Sequence, residues 1–255
     1  MTENSAGVAG LDVHVRRAGQ APILYLHGVP TSSHDWVPFL ERAGGIAPDL
    51  PGFGRSAKPG DFDYSIAGYD RFLEAFVDEV GLERFSLVLH DWGSVGLALA
   101  QRFPHRVERL VLFSVVPFLP GFRWHRVARG WGTPALGELL MGATTRWGLR
   151  RELPEELADA AWDAFDHGTQ RAILKLYRSA PPEVLARAGE RLGEIRAPAL
   201  ILWPNDDPYI GAEFAQAHAN ALGGEITLEM VRGGHWPWLR NPELIDRTAE
   251  FLKRS

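Results

Sequence analysis

Short, almost unbroken apolar runs, each giving way to a longer amphipathic stretch, most narrow what this chain can fold into. Ile23–His27 (ILYLH), Phe85–His90 (FSLVLH) and Arg109–Val116 (RLVLFSVV) are such runs. A strand covered on both faces carries apolar side chains on both, whereas a half-exposed strand alternates. Leu11–Arg16 (LDVHVR) alternates, and Ala47–Leu50 follows the Gly44-Gly45 break and ends at the Pro51-Gly52 turn. From Ile66 to Val80 the spacing changes: Tyr69, Phe72, Leu73, Phe76, Val77 and Val80 recur every three or four residues, and Gly81 suits the position after a helix end. Val95–Phe103 reads as another helix, stopped by Pro104. Strands that alternate with helices predict an α/β fold with a mostly parallel sheet and right-handed crossovers.

Between Pro117 and about Arg196 the rhythm breaks. The segment is helical, lacks a convincing strand, and holds Trp124, Trp131, Trp147 and Trp162. Strand patterns return at Ala199–Trp203 (ALILW) and Ile226–Val231 (ITLEMV), before a terminal helix over Pro242–Leu252. The expected organisation is a core of residues 1–116 and 197–255 with a helical cap of 117–196. Such a cap would cover the C-terminal edge of the sheet, where open α/β sheets bind ligands. A length of 255 residues suits one large domain or one domain with an inserted subdomain. The absence of cysteine excludes disulfides, thiolate metal sites and a thiol nucleophile. A net charge of −5 argues against nucleic acid, which needs a clustered positive surface. No basic or apolar leader is visible in Met1–Gly10 and no run of apolar residues is long enough to span a bilayer. The expectation is a cytoplasmic protein, monomeric or homodimeric, without a membrane partner.

The chemistry concentrates where strands end. Leu89-His90-Asp91-Trp92-Gly93-Ser94 lies where a buried strand runs into a helix. A sharp elbow there exposes one side chain above the sheet and needs a small residue two positions later, which Gly93 supplies. In this frame Asp91 is exposed, and a carboxylate so placed can attack an electrophilic carbon. Its ordinary alternative is the N-cap of the following helix. A second frame makes Ser94 the nucleophile, but Trp92 then occupies a position that needs glycine. Asp206 and Asp207 follow the run that ends in Trp203, and His235 follows the next run. Singly these are turn acids and an unremarked histidine. Together, Asp91, Asp207 and His235 follow strand ends in the order acid nucleophile, acid, histidine. Gly233 and Gly234 would let the histidine loop turn back over the sheet. After Ile23–His27, the Gly28-Val29-Pro30 turn can aim the Val29 N–H, with the Trp92 N–H, at developing negative charge as an oxyanion hole.

With these residues in place, the whole chain resembles an α/β-hydrolase of the epoxide hydrolase and haloalkane dehalogenase group. The resemblance rests on HGVPTSSHDW (His27–Trp36), DLPGFGRS (Asp49–Ser56), LHDWGS (Leu89–Ser94), FPHRVERLVL (Phe103–Leu112), LWPNDDPYI (Leu202–Ile210) and GGHWPWLRNPE (Gly233–Glu243). It implies Asp91 as nucleophile, His235 as general base and Asp207 as the acid that orients it. Asp207 matches rather than Asp206 because the family acid stands four residues after the strand-ending tryptophan, here Trp203. No cofactor and no metal are implied, and the partners are a small apolar electrophile and water.

The leaving group separates the activities. Epoxide opening needs an acid for the departing alkoxide, and Tyr177, within ILKLYRS, resembles the second of two family tyrosines. The first has no match, which leaves Tyr177 alone or with a cap donor such as His125. The ordinary alternative for Tyr177 is a helix-face aromatic in the core. Halide release instead needs two converging N–H donors. Trp92 is one in haloalkane dehalogenases, but Val29 stands where many of them carry Asn. A cap tryptophan (Trp124, Trp131, Trp147 or Trp162) could replace it, or could simply line an apolar pocket. Epoxide hydrolysis to a vicinal diol is the expected activity and haloalkane dehalogenation the alternative. An esterase or lactonase acting through Ser94, or a non-catalytic ligand-binding homologue, ranks below both.

Overall fold

The computed structural model describes residues 1–253. Its eight strands are β1 (Thr2–Val8), β2 (Leu11–Ala18), β3 (Ile23–Leu26), β4 (Gly45–Pro48), β5 (Phe85–His90), β6 (Val107–Phe113), β7 (Ala199–Pro204) and β8 (Ile226–Val231). They form one sheet in the order β1-β2-β4-β3-β5-β6-β7-β8. β2 runs antiparallel to both its neighbours, and every pairing from β4 to β8 is parallel. Helices α1 (Val37–Ala43), α2 (Ile66–Glu79) and α3 (Val95–Arg102) connect the first strands. Between β6 and β7 the chain is helical: α4 (Arg126–Gly132), α5 (Leu136–Gly142), α6 (Arg146–Glu152), α7 (Glu155–Asp163), α8 (His167–Ser179) and α9 (Pro182–Ala188). α10 (Glu213–Ala221), α11 (Pro237–Arg240) and α12 (Glu243–Lys253) complete the chain. Among the described residues no helix is long and apolar enough to cross a membrane.

Period-two alternation divides the interior. Leu24 and Leu26 of β3 join one apolar cluster with α2 and α3, while Ile23 and Tyr25 join another with α1 and α12. β5 and β7 are buried along their whole length, which accounts for their unbroken apolar sequence. α2 starts where the Ser65 hydroxyl accepts the Gly68 N–H, and Gly81 follows its end at φ +71°.

Several elements depart from the sequence pattern: it predicts neither α1 nor α11, and β4 spans Gly45–Pro48 where it predicts Ala47–Leu50. β1 (TENSAGV) is mostly exposed and mostly polar, so no alternation betrays it; its backbone pairs with β2 along seven residues. β6 ends at Phe113 instead of Val116, because Ser114 takes φ +39° and turns the chain out of the strand. α10 has no counterpart in the expected elements.

Candidate active site

β5 leads straight into the elbow. Asp91 is held at φ +47°, a conformation that L residues adopt rarely and that cores retain mainly at functional positions. The Asp91 carbonyl accepts the Val116 N–H at 2.9 Å, which ties the turn to the chain after β6. A Cβ at Gly93 would lie 2.1 Å from the Leu26 carbonyl oxygen of β3, so the close crossing demands glycine there. Ser94, by contrast, sits at φ −50° in helical conformation, fully buried and away from the strained position. Asp91 is 7% exposed. Its Oδ1 accepts the Val29 N–H at 2.9 Å, and its Oδ2 lies 3.6 Å from His235 Nε2.

His235 enters from the loop after β8. Gly233 and Gly234 take φ +127° and +67°, which turns the loop back as their pairing suggests. The His235 Nδ1–H donates to Asp207 Oδ2 at 2.7 Å, and Asp207 Oδ1 accepts the N–H groups of Tyr209 and Ile210 at 2.7 and 3.1 Å. Burial works against charge on His235, but Asp207 and Asp91 together outweigh it and lift the imidazole to about 10. Burial likewise opposes ionisation of Asp207, yet the His235 charge and hydrogen bond bring it down to about 2. Asp91 is lowered for the same reason, His235 outweighing its burial. These shifts all favour the carboxylate–imidazolium–carboxylate arrangement at neutral pH.

Aromatic rings wall the opposite side. Tyr177 of α8 meets Trp92 edge-on at 5.4 Å, Trp124 stacks on Trp92 at 5.4 Å, and Trp131 of α4 packs on Tyr177 at 5.1 Å. Burial first, and then the Asp91 charge, raises the Tyr177 phenol well above its usual value, so it keeps its proton. The buried Trp92 indole N–H interacts with that hydroxyl and makes no hydrogen bond to any other group among the described residues. Trp124 cannot be a second donor here, because its N–H is given to the Ala180 carbonyl at 2.8 Å. His125 caps α4 with Nδ1 and stays close enough to Asp91 for that carboxylate to act against the burial that lowers its pKa. Trp147 is 68% exposed, and Trp162 stacks on Phe165 against the other core. Among the described residues no group of three His, Cys, Asp or Glu is placed to hold a metal ion.

A family model for the alpha/beta hydrolase fold matches residues 21–242. The chain belongs to this family. Over 113 residues it is 40% identical to a haloalkane dehalogenase of Agrobacterium fabrum, a stretch covering 42% of this chain and 37% of that protein. A haloalkane dehalogenase of Bradyrhizobium diazoefficiens is 29% identical across 96% of this chain and 91% of its own length. The crystal structure of the haloalkane dehalogenase DbeA from Bradyrhizobium elkani superposes with a TM-score of 0.85 at 27% identity, covering 98% of this chain and 97% of that one.

Several residues of this alpha/beta hydrolase site escape sequence reading. Asp206, adjacent to the buried acid, accepts the N–H groups of Gly233 and Gly234, both at 3.0 Å, and so fixes the histidine turn. Burial and the neighbouring His235 push His90 down to about 3. It is neutral, so its Nε2–H donates to the His235 carbonyl at 2.8 Å. Tyr209 sets its ring edge-on to His235 at 5.1 Å. Asp-Asp before Pro signalled a turn, but only the folded chain shows which partner each acid takes.

Proposed function

We propose that this chain is a hydrolase of the haloalkane dehalogenase type, converting a small apolar haloalkane and water to an alcohol, halide and a proton. The observation that carries the choice is the juxtaposition of two buried hydrogen-bond donors near Asp91, the Trp92 indole N–H and the protonated Tyr177 hydroxyl. Donors so placed can stabilise a departing anion, since a hydrogen bond to a charged group contributes about 1.5–3 kcal/mol. Similarity to a haloalkane dehalogenase over nearly the full length supports the same reading.

Asp91 Oδ1 is engaged by Val29, which leaves Oδ2 as the attacking oxygen. Its electron pair forms the bond to the substrate carbon while the carbon–halogen bond breaks, and the halide departs towards the Trp92 N–H and Tyr177 O–H. The resulting ester has no charge at Asp91. His235 then faces Asp207 alone, its pKa falls, and it releases its proton and becomes a base. It takes a proton from water as the water oxygen attacks the ester carbonyl carbon. The Val29 N–H and the Trp92 main-chain N–H stabilise the tetrahedral oxyanion, and its collapse expels the alcohol and restores Asp91. Asp207 holds the imidazole in register throughout.

Epoxide opening is the second reading, favoured by the protonated Tyr177 hydroxyl with His125 near the same carboxylate. Both readings share Asp91, His235 and Asp207. Incubation with a 1-haloalkane and, separately, styrene oxide decides between them by free halide and diol. Halide alone supports the proposal, diol alone replaces it with the second reading, and neither product refutes both.

A further inference from the structure

We propose that Tyr209 and Glu152 form a gate that admits water to His235. The inference rests on the proposed hydrolysis, whose second step needs a water molecule beside the imidazole. The packed rings of Trp92, Trp124, Trp131 and Tyr177 form an apolar wall, as a carbon substrate requires. A cleft of about 520 Å³, lined by none of those rings, reaches His235 and Trp236 between α6 and the loops after β7 and β8. Its rim is charged, with Arg151, Glu152, Glu155 and Asp206.

Tyr209 stands in this opening. Its backbone N–H is fixed to Asp207 Oδ1 at 2.7 Å, and its ring lies 5.1 Å from that of His235 at 82°. The ring also approaches His125 at 5.1 Å. Its hydroxyl reaches across to the helical segment and lies 3.2 Å from Glu152 Oε2, with the Glu152 carbonyl at 3.5 Å. Both latch contacts are long and exposed, the kind of bond that opens readily. Burial, with Glu152 reinforcing it, raises the Tyr209 phenol, so the hydroxyl remains the donor. With the latch closed the ring covers the imidazole edge. With it open, the side chain swings on its loop and water reaches Nε2, while the aromatic wall stays intact.

The absence of cysteine allows a test that needs no turnover. In a His235→Cys background the single thiol sits on the floor of the cleft, and iodoacetamide labelling reports access to it. Adding Tyr209→Phe or Glu152→Gln removes the latch and is expected to speed labelling about tenfold; rates within twofold of the parent overturn the gate. A second measurement uses the protein without His235→Cys. The downfield proton line of the His235 Nδ1–H should broaden by exchange with water in Tyr209→Phe, and an unchanged line overturns the proposal as well. If labelling accelerates but no halide or diol is ever formed, the gate stands and the assigned reaction fails. If product forms but access is indifferent to both substitutions, the reverse holds.

Discussion

Gly28→Ala tests the catalytic geometry with a single methyl group. A Cβ at residue 28 would stand 2.5 Å from the Asp91 Cβ and 2.7 Å from Oδ1, and its three nearest neighbours are all Asp91 atoms. Carbon contacts settle near 3.5–4.0 Å, so the nucleophile and the Gly28 turn must separate by about 1 Å. That shift stretches the 2.9 Å bond from Val29 N–H to Oδ1 beyond hydrogen-bond range and turns Oδ2 off its line to the substrate. A displacement of about 1 Å at a reacting group costs on the order of 100-fold in rate, equivalent to about 2.7 kcal/mol of barrier. Gly28 is not among the residues at positive φ, so alanine brings no backbone strain and the variant should fold. The assay is single-turnover halide release with a 1-haloalkane, alongside thermal melting, with Gly7→Ala as control because nothing lies within 4 Å of its added Cβ. A burst rate within threefold of the parent, in a protein melting at the parent temperature, would refute the geometric reasoning.

His235→Gln should stop the reaction after the first step, and the ester should appear as a mass increase on the peptide containing Asp91; lost turnover with an unmodified peptide contradicts the two-step scheme. Tyr177→Phe removes one charge-assisted hydrogen bond of about 1.5 kcal/mol, so halide release should fall roughly tenfold, whereas diol formation should disappear. Equal losses in both assays would show that Tyr177 is a packing residue only. Stability should depend on pH through the same charges. The His235 contribution is whole below its ordinary 6.5 and is lost as pH rises towards about 10, while that of Asp207 is whole above 3.8 and is lost as pH falls through about 2. Melting temperature should therefore be highest between those ordinary values, and Asp207→Asn should flatten the profile; an unaltered profile would show that this pair does not set it. Stopped-flow with a pH indicator should find one proton released together with halide, ahead of alcohol, and release only with alcohol would mean that His235 rests neutral.

The proposed catalytic residues were legible because each follows a run with a strong local signal. Asp91 follows FSLVLH, Asp207 follows ALILW and His235 follows ITLEMV, and a strand end in a parallel sheet points at the ligand edge whatever the distant packing. Gly93, Gly233 and Gly234 were legible too, since a close crossing or a left-handed turn restricts the residue type. Activity was harder to read. Tyr177 resembles an epoxide-opening acid in sequence, but the buried Trp92 N–H beside its hydroxyl and the full-length relative favour halide release, the alternative reading. β1 stayed hidden because an exposed edge strand gains its stability from backbone pairing and leaves little trace in side-chain pattern.

The amino-acid order alone dictated a parallel α/β sheet, its helical interruption, and one nucleophile, one acid and one histidine at successive strand ends, since periodicity and strand ends are local properties. Tertiary packing decided everything that depends on distance between remote segments. It gave Asp207 to His235 and Asp206 to the glycine turn, spent the Trp124 N–H on Ala180, left Trp147 in solvent, and set Tyr209 against both His235 and Glu152. It also set the electrostatics: the imidazole of His235 lies buried between the carboxylates of Asp91 and Asp207, far apart in the chain, and both favour its charged form.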